Sequence, residues 1–556
     1  MKAPVLICTA TLFWFCQPGL LVADEIDETG SGSAAFAGTA VLISGLRSTP
    51  DLKIGEVTVS NGSIFDLENP AEDGFLYRLA NRLHMTTRPE VIRQQLLFHP
   101  GSDYSPQALN ESERLLRDDR YIQSASIRPV KVEDGYVDVV VETSDTWTLM
   151  PKLSFSRSGG SNNLALGLKE MNLLGSGIGI EALYKSDIDR DYHTLKFTDR
   201  NIGGSWYGIH AVYENNSDGH TNILDIGKPF YSVDSRSALG FSWFDNDEIE
   251  SFYDEGEAYS YYRHRSRRSE LMKGWSHGLQ DGWTRRFTGG FVFDENLFTA
   301  DVPQGDVVSV VPGDRRFAYP FIGYELLENA YTKSRNLDQI SRVEDVYLGL
   351  RFSARVGFAN KIFGSDQNAV LYSAGVQQGF GKPGAESLLI ASQLAGRFEG
   401  GAARNVVLSA SASWYKRQSE HRLFFAAVTG SFGSNLDLDQ YPSLGGDTGL
   451  RGYPLRYQSG DKLAILTLEQ RYFTDWYPFR LFHVGGALFF DAGRAWGDSP
   501  VPRASNEILT DVGAGLRIGS ARSGLGRMVH IDVAVPLNGA ADLKSFQVLV
   551  STRKSF

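Results

Sequence analysis

From Trp147 to the C-terminus the chain alternates apolar and polar residues in segments of about ten, separated by Gly, Asn and Asp. In the clearest segment the apolar positions are Val529, Ile531, Val533, Val535 and Leu537. The positions between them are His530, Asp532 and Ala534. A period of two means that the two sets face opposite sides of a strand. The pattern is typical of a transmembrane β-barrel, with the first set facing lipid and the second facing the lumen.

Counting these segments predicts between about 16 and 20 strands, and an even number, most simply 16, is expected of a bacterial barrel. The stretch 246–345 is the hardest to divide into strands. A large soluble β-sandwich or propeller would need regular repeats or a continuous polar outer face, and the sequence has neither. The predicted fold class is therefore mainly β, an antiparallel barrel over 147–556 preceded by a small α+β domain.

The segment 54–145 has a different pattern. Ile54, Val57 and Val59 predict a strand, and the apolar positions at helical spacing that follow predict a helix. These helical positions are Phe75, Leu76, Leu79 and Leu83. A second helix is predicted after Thr87 and Glu90, which are spaced as a capping box around Pro89.

A third helix begins at Ser105-Pro106 and ends at Asp118-Asp119. Two strands, 122–132 and 136–143, are joined by Glu133-Asp134-Gly135, which is hairpin chemistry. Together these elements form a domain of normal small size.

The first 23 residues predict a secretory signal peptide. Lys2 precedes an apolar stretch from Pro4 to Val22, and cleavage is expected after Ala23. The run is short for a retained membrane anchor, which is the alternative interpretation. Residues 24–53 form a predicted linker. Cys8 and Cys16 both lie in the predicted signal, so the mature chain has no disulfide or thiolate metal site.

Composition and motifs narrow the function classes. A net charge of −11, spread along the chain, argues against a nucleic-acid partner. The ten histidines have no metal-ligand spacing, and no phosphate-binding Gly-rich loop ends in Lys-Ser or Lys-Thr, so no cofactor is expected. Gly274 to Gly278 matches a nucleophile-elbow string around Ser276, but a turn at 279–282 follows where the elbow needs a helix. No enzymatic activity is predicted.

Three motifs near the C-terminus occur together. They are Leu444-Gly445-Gly446, Leu450-Arg451-Gly452-Tyr453-Pro454 and Phe489-Phe490-Asp491-Ala492-Gly493. This combination resembles the BamA/TamA-type outer-membrane assembly and translocation superfamily, which includes the two-partner-secretion transporters. The domain at 54–145 resembles a POTRA domain of the same proteins. The positions that carry this second likeness are Gly101, Tyr104, Leu115, Leu116 and Tyr121.

The resemblance implies that a loop at about 433–460 folds into the barrel and places Arg451 against Asp491 on the wall. Chemistry agrees, because a guanidinium away from bulk water needs a carboxylate and can bind one through two N–H donors. Glu469 alternates in phase with Thr467 and Arg471, so it is a second expected partner. Gly452 and Gly493 are expected to allow close backbone approach.

Closure of the barrel joins a first strand at 149–155 to a last strand at 546–556. Pro151 lacks an N–H and removes one possible ladder bond. We therefore expect a weak seam that opens laterally to accept client strands, with Leu153, Val548 and Phe556 flanking it. The alternative is that Pro151 simply begins the strand.

By this resemblance the chain inserts proteins into, or translocates them across, the bacterial outer membrane. The POTRA-like domain is expected in the periplasm. It would dock unfolded clients there by strand pairing, or it would serve only as a spacer. The expected partners are outer-membrane lipid, periplasmic clients and accessory periplasmic proteins or lipoproteins. One POTRA is fewer than the family's assembly and secretion members carry, so the client stays open. The alternatives are a dedicated secretion transporter for one partner, a lipid-handling protein and a passive porin.

Overall fold

The computed structural model describes residues 52–158, 160–300, 310–340, 343–446, 448–501, 507–520, 522–523, 528–541 and 543–553. The predicted signal peptide, most of the predicted linker and Phe556 lie outside these ranges. No helix in the described part of the chain is long and apolar enough to cross a membrane.

An N-terminal domain is built on a three-stranded sheet. Its strands are β1 (Lys53–Gly62), β2 (Ile122–Glu133) and β3 (Tyr136–Asp145). β3 is central, parallel to β1 and antiparallel to β2. Its helices are α1 (Phe75–Leu83), α2 (Pro89–Arg93) and α3 (Pro106–Asp118). The core lies between the sheet and the helices, where Ile54, Val137 and Leu116 are almost fully buried.

The start of α3 agrees with the prediction from the sequence, whereas the start of α2 does not. Ser105 caps α3, because its hydroxyl accepts the N–H of Ala108 at 3.2 Å. The capping box predicted at Thr87 is wrong. The Thr87 hydroxyl instead donates to the Asp145 carboxylate at 2.9 Å, and Arg88 occupies the N-cap position without a side-chain cap. A cap would use the Thr87 oxygen as acceptor for a helix N–H, but this oxygen accepts Asn172 Nδ2 at 2.7 Å instead.

The rest of the chain forms one closed antiparallel barrel, which confirms the predicted fold class. Within the described residues it has 20 strands, so the favoured number of 16 is wrong. The first ten are β4 (Leu149–Ser158), β5 (Ser161–Glu170), β6 (Gly179–Ser186), β7 (Asp191–Asp199), β8 (Gly208–Asn216), β9 (Gly219–Lys228), β10 (Ser237–Asp254), β11 (Glu257–Gln280), β12 (Trp283–Ala300) and β13 (Arg315–Glu328). The other ten are β16 (Arg351–Ala359), β17 (Ala369–Lys382), β18 (Glu386–Glu399), β19 (Ala402–Ser419), β20 (Arg422–Ser434), β23 (Lys462–Phe473), β24 (Phe482–Trp496), β25 (Leu509–Ser520), β26 (Met528–Pro536) and β27 (Gln547–Arg553).

Short turns explain why segment counting merged strands. β10, β11 and β12 occupy 237–300 almost without interruption, because two residues separate each strand from the next. Each of these turns places two successive residues at positive φ, Glu255 with Gly256 and Asp281 with Gly282. Such turns join strands without a polar run long enough to mark a boundary.

The alternation predicted for β26 is confirmed. Ile531, Val533 and Val535 are 36–45% exposed on the outer face, whereas His530 and Asp532 are 1% exposed. The outer surface is therefore apolar, and the inner surface carries charged and polar side chains, as a barrel in lipid requires.

The barrel has two distinct ends, because consecutive strands alternate in direction. β4 starts next to the N-terminal domain, so the turns after odd-numbered β5, β7 and β9 lie at this end, which we call the domain end. The opposite end is called the far end. At the domain end Asn172 Nδ2 donates to Thr87 Oγ1 at 2.7 Å, and Arg522 pairs with Glu72 at 2.7 Å. The N-terminal domain is thus docked on the turns of the barrel.

Four short strands lie outside the barrel sheet and form two inserts. β14 (Tyr331–Arg335) and β15 (Val343–Tyr347) form a hairpin at the domain end, between β13 and β16. β21 (Ser443–Leu444) and β22 (Gln458–Ser459) belong to a far-end loop between β20 and β23. Most of the first hairpin lies within the stretch 246–345, which the sequence did not divide clearly into strands.

Candidate functional site in the barrel

The far-end loop, residues 435–461 with position 447 left undescribed, packs against the inner wall of the barrel. Leu444, Leu450 and Tyr453 are all 0% exposed. They form a cluster with Leu463 of β23, Leu509 of β25 and other wall residues. A loop with this much buried apolar surface is held in place by packing as well as by its polar contacts.

Arg451 carries the central polar contacts of this loop. Its Nε and Nη2 donate to the two carboxylate oxygens of Asp491 at 2.6 and 2.9 Å. Its Nη1 donates to Glu469 at 2.8 Å. These contacts join Arg451 to the two partners that were expected for it from the sequence, Asp491 and Glu469.

The guanidinium also stacks on an aromatic wall residue. The Arg451 guanidinium carbon lies 3.4 Å from the centroid of the Phe489 ring, and Arg451 is 2% exposed. A planar cation that is both stacked and held by two hydrogen bonds to one carboxylate is fixed in position and in orientation. The ammonium of a lysine is not planar and cannot make two parallel hydrogen bonds to one carboxylate.

Gly452 lies against a second carboxylate that the sequence did not single out. Its N–H donates to Asp511 at 2.9 Å, and Asp511 faces Asp491 directly across the β24–β25 pair. A Cβ on Gly452 would lie 2.7 Å from the Cβ of Asp511 and 3.0 Å from the backbone N of Pro536. A Cβ on Gly493 would lie 3.1 Å from the carbonyl oxygen of Ala464 and at an ordinary contact distance of 3.4 Å from Leu450. Close approach therefore requires glycine at position 452, whereas Gly493 is only tightly packed.

Tyr453 fastens the loop to the strands on the other side of Arg451. Its hydroxyl lies 2.9 Å from the carbonyl oxygens of Thr510 and Asn538, and it accepts the N–H of Thr510 at 3.1 Å. Since Thr510 is the second residue of β25 and Asn538 follows β26, this side chain ties the loop to the two strands that precede the last strand, β27.

Glu469 connects the far-end loop to the domain-end hairpin. Its second oxygen accepts Arg471 Nε at 3.0 Å. Arg471 in turn donates to the Leu337 carbonyl at 2.9 Å and to Asp338 at 3.2 Å. Leu337 and Asp338 form the tip of the hairpin, which also packs Leu337 and Ile340 on Leu423 and Phe473 of the wall. Glu469 therefore holds the far-end loop directly through Arg451 and the hairpin tip indirectly through Arg471.

The base of the hairpin is bound to the N-terminal domain. Arg117 of α3 pairs with Asp345 of β15 at 3.1 Å, and Glu113 of α3 accepts Lys333 of β14 at 3.1 Å. Val233, in a barrel turn, donates its N–H to Glu111 of the same helix at 2.7 Å. An unbroken series of contacts thus runs from α3 through the hairpin and Glu469 to Arg451.

A peripheral ion pair holds the outer part of the far-end loop. Arg456 donates to Asp189, in the turn between β6 and β7, at 2.7 and 2.9 Å. Burial favours the neutral form of Asp189, but the hydrogen bonds from Arg456 outweigh it and lower the pKa of this carboxyl below its usual value. The pair is partly exposed, so its contribution to stability is small.

The seam joins β4 and β27, and Val550 pairs with Arg157 there. Leu153 lies on β4 and Val548 on β27, but the two are offset by six residues in this register, so they do not face one another. A hydrophobic pattern does not fix the stagger between two strands that are distant in sequence. Pro151 pairs with Leu168 of β5 and is the third residue of β4, close to the strand start.

Sequence reasoning missed three members of the polar network. They are Asp511, Asp338 and Arg517, which pairs with Asp532. Asp511 and Arg517 alternate in phase with each other on β25, so an inward charged pair was available as a signal. Asp338 had none, because only the folded hairpin brings it to Arg471. Ser276 lies inside the continuous strand β11, where its hydroxyl donates to the Arg285 carbonyl at 2.7 Å.

Comparison with known proteins agrees with the predicted resemblance. Residues 385–553, less than a third of the chain, match the Omp85 superfamily domain. No curated protein matches the chain. Among solved structures, CdiB from Acinetobacter baumannii is similar at 13% identity and a TM-score of 0.45, over 91% of this chain and 74% of that one.

A second similar structure is BamA from Haemophilus ducreyi lacking POTRA domains 1–3, at 12% identity and a TM-score of 0.41, over 90% of this chain and 84% of that one. CdiB from Escherichia coli has 13% identity and a TM-score of 0.38, over 95% of this chain and 93% of that one. These likenesses are too distant to bear on function.

Proposed function

We propose that this chain, whose residues 385–553 match the Omp85 superfamily domain, is an outer-membrane barrel that inserts unfolded proteins into the outer membrane or translocates them across it. In this proposal the domain end faces the periplasm, and the N-terminal domain acts as a POTRA domain that receives clients. The observation that carries the proposal is the buried contact of Arg451 with Asp491 and Glu469. It ties a far-end loop to the barrel wall next to the last strands.

The N-terminal sheet supports a docking role. β2 is an edge strand, and Val130 and Val132 near its end are each 39% exposed. An extended client can pair with such an edge through main-chain hydrogen bonds, which are independent of the client's sequence. Edge pairing therefore suits a protein that handles unfolded chains.

A passive porin fits these contacts less well. Within the described residues two inserts enter the barrel from opposite ends and pair with or through the buried arginines Arg451 and Arg471. A porin gains nothing from a wall carboxylate that links both inserts through these arginines, whereas a translocating barrel needs an element that keeps it closed at rest.

The decisive experiment is depletion of the protein followed by parallel proteomics of the outer membrane and the culture medium. Loss of several outer-membrane proteins indicates insertion, and loss of one protein from the medium indicates a dedicated secretion transporter. Unchanged proteomes with altered surface lipid and detergent sensitivity would indicate lipid handling and overturn the proposal.

Lateral opening at the seam is tested by a disulfide. Cysteines at Arg157 and Val550, the pair that faces across β4 and β27, should abolish function when oxidised and restore it when reduced. A matched control places cysteines at Leu166 and Tyr184, which pair across β5 and β6 away from the seam. Full activity of the oxidised seam variant would remove lateral opening from the mechanism.

A further inference from the structure

Helix α1 of the N-terminal domain presents an apolar face that no described residue covers. Phe75, Leu76 and Leu83 are 77, 69 and 65% exposed, and Leu79 is 39% exposed. At 3.6 residues per turn, these four positions fall within about 100° of the helix surface. Soluble domains rarely leave a contiguous stripe of large apolar side chains in water, so the stripe indicates a contact surface.

The opposite face of α1 is fixed to the protein. Tyr77 packs against Phe65 with the ring centroids 4.7 Å apart. Asn81 accepts the N–H of Phe65 at 3.0 Å and donates to its carbonyl at 2.8 Å. The stripe therefore points outward because the helix is held from behind, and rotation of the helix cannot bury it.

Helix α1 lies close to the seam at the domain end of the barrel. A cavity of about 1530 Å³ includes the barrel lumen, where charged side chains such as Glu181 and His264 line it. It extends to Leu76 and Tyr77 of α1 and to Pro151 and Val550 on the seam strands β4 and β27. Glu72, just before α1, is paired with Arg522 of the turn between β25 and β26. The helix is thus fixed beside the seam at the domain end of the barrel.

A turn at the same end of the barrel also exposes large aromatic side chains. Trp476 and Phe479, in the turn between β23 and β24, are 63 and 73% exposed. Phe479 and Leu76 line the same cavity. Aromatic side chains at the edge of a barrel are found at the level of the lipid headgroups. Their level on the barrel therefore marks the membrane surface near α1.

Charge identifies the occupant of the stripe. Arg78 and Arg82 are exposed and lie along one edge of it, about 20 to 60° from Phe75 on the helix surface. Arg78 is also paired with Asp73 at 3.0 Å, and its side chain remains 61% exposed. A helix with an apolar stripe edged by basic residues is typical of helices that lie in the membrane interface, where the arginines meet lipid phosphates. An apolar peptide would need no cations there.

We propose that α1 is an interfacial helix whose apolar stripe lies in the periplasmic leaflet of the outer membrane, beside the seam, with Arg78 and Arg82 on phospholipid phosphates. It holds the N-terminal domain and the seam at a fixed height relative to the lipid. This inference needs only that the barrel spans a membrane, so it does not depend on the protein-handling function.

The test uses the full mature chain in vesicles of phosphatidylethanolamine and phosphatidylglycerol. Because both native cysteines lie in the predicted signal, Leu76→Cys provides one labelling site for an environment-sensitive fluorophore. The control is Glu133→Cys, at the hairpin end of β2, which is the end of the domain away from the barrel. Vesicle lipids with a quencher near the headgroup should quench the label at position 76 and leave the control bright, whereas aqueous iodide should do the reverse.

Two outcomes overturn the proposal. A label at position 76 that iodide quenches is in water, and one shielded from both quenchers is covered by protein, which would assign the stripe to a peptide partner. In anionic vesicles, the charge-reversed variant Arg78→Glu with Arg82→Glu should show less lipid quenching of the label at position 76. In neutral vesicles the same variant should show full quenching again. All variants must show the heat-dependent gel mobility of a folded barrel, which separates misfolding from loss of lipid contact.

Discussion

Arg451 and Arg471 are held by the two oxygens of one carboxylate, Glu469, at 2.8 and 3.0 Å. Arg451 belongs to the far-end loop, whereas Arg471 lies on the wall and holds the tip of the domain-end hairpin. Since Glu469 is 5% exposed, both contacts occur out of water, where an unpaired charge is costly. The two inserts therefore depend on the same buried group.

Replacing Arg451 with alanine should release the far-end loop. The change leaves Asp491 and Glu469 buried without their cation, and such a loss typically costs about 3–5 kcal/mol. Limited proteolysis of the loop in the membrane-inserted protein measures the release. Arg451→Lys should restore little, because one ammonium cannot make the two parallel bonds to Asp491 and the stack on Phe489.

The control for this variant is Arg456→Ala. It removes an ion pair of the same loop that is partly exposed, so the expected loss is at most about 1 kcal/mol. Equal protease sensitivity of the two variants would contradict a special role for Arg451.

Gly452→Ala should displace the loop without changing any charge. The new methyl group would lie 2.7 Å from the Asp511 Cβ and 3.0 Å from the Pro536 backbone, and overpacking of this kind costs about 1–3 kcal/mol. Gly313→Ala is a matched control, because a Cβ there meets nothing within 4 Å. Thermal unfolding followed by gel mobility compares the two, and equal shifts would argue against steric exclusion at Gly452.

Asp338→Asn should loosen the domain-end hairpin, because Arg471 loses a charged partner at the tip. Conductance of single barrels in planar bilayers should then rise or become irregular. Combining Asp338→Asn with Arg451→Ala tests whether the inserts are coupled through Glu469. If the two effects simply add, the inserts act independently.

The hairpin should also respond to pH. Glu344 accepts the N–H groups of Leu337 and Asp338 at 2.9 and 3.0 Å. Burial, with a smaller effect of the Asp338 carboxylate, raises the pKa of Glu344 to about 7. A carboxyl whose pKa is raised on folding stabilises the fold most below its unfolded pKa, and this contribution is lost as the pH rises towards 7. Protease resistance of the hairpin should therefore fall between pH 5 and pH 7, and Glu344→Gln should abolish the change.

Alternation in the sequence was sufficient to assign the barrel class and the inner and outer faces of β26. A period of two fixes which side of a strand a residue faces, so His530 and Val533 were assigned without any knowledge of their neighbours. The contact of Arg451 with Asp491 was expected from the family resemblance of their motifs, and chemistry agrees because a guanidinium away from water needs a carboxylate.

Three features follow only from the folded structure: the number of strands, the stagger at the seam and the position of the hairpin at 331–347. These depend on pairing between segments distant in sequence, about which local alternation carries no information. The same applies to α1. Its apolar spacing predicts a helix, but whether Phe75 and Leu76 face a core or remain exposed is decided by Tyr77 and Asn81, which fix the opposite face against Phe65.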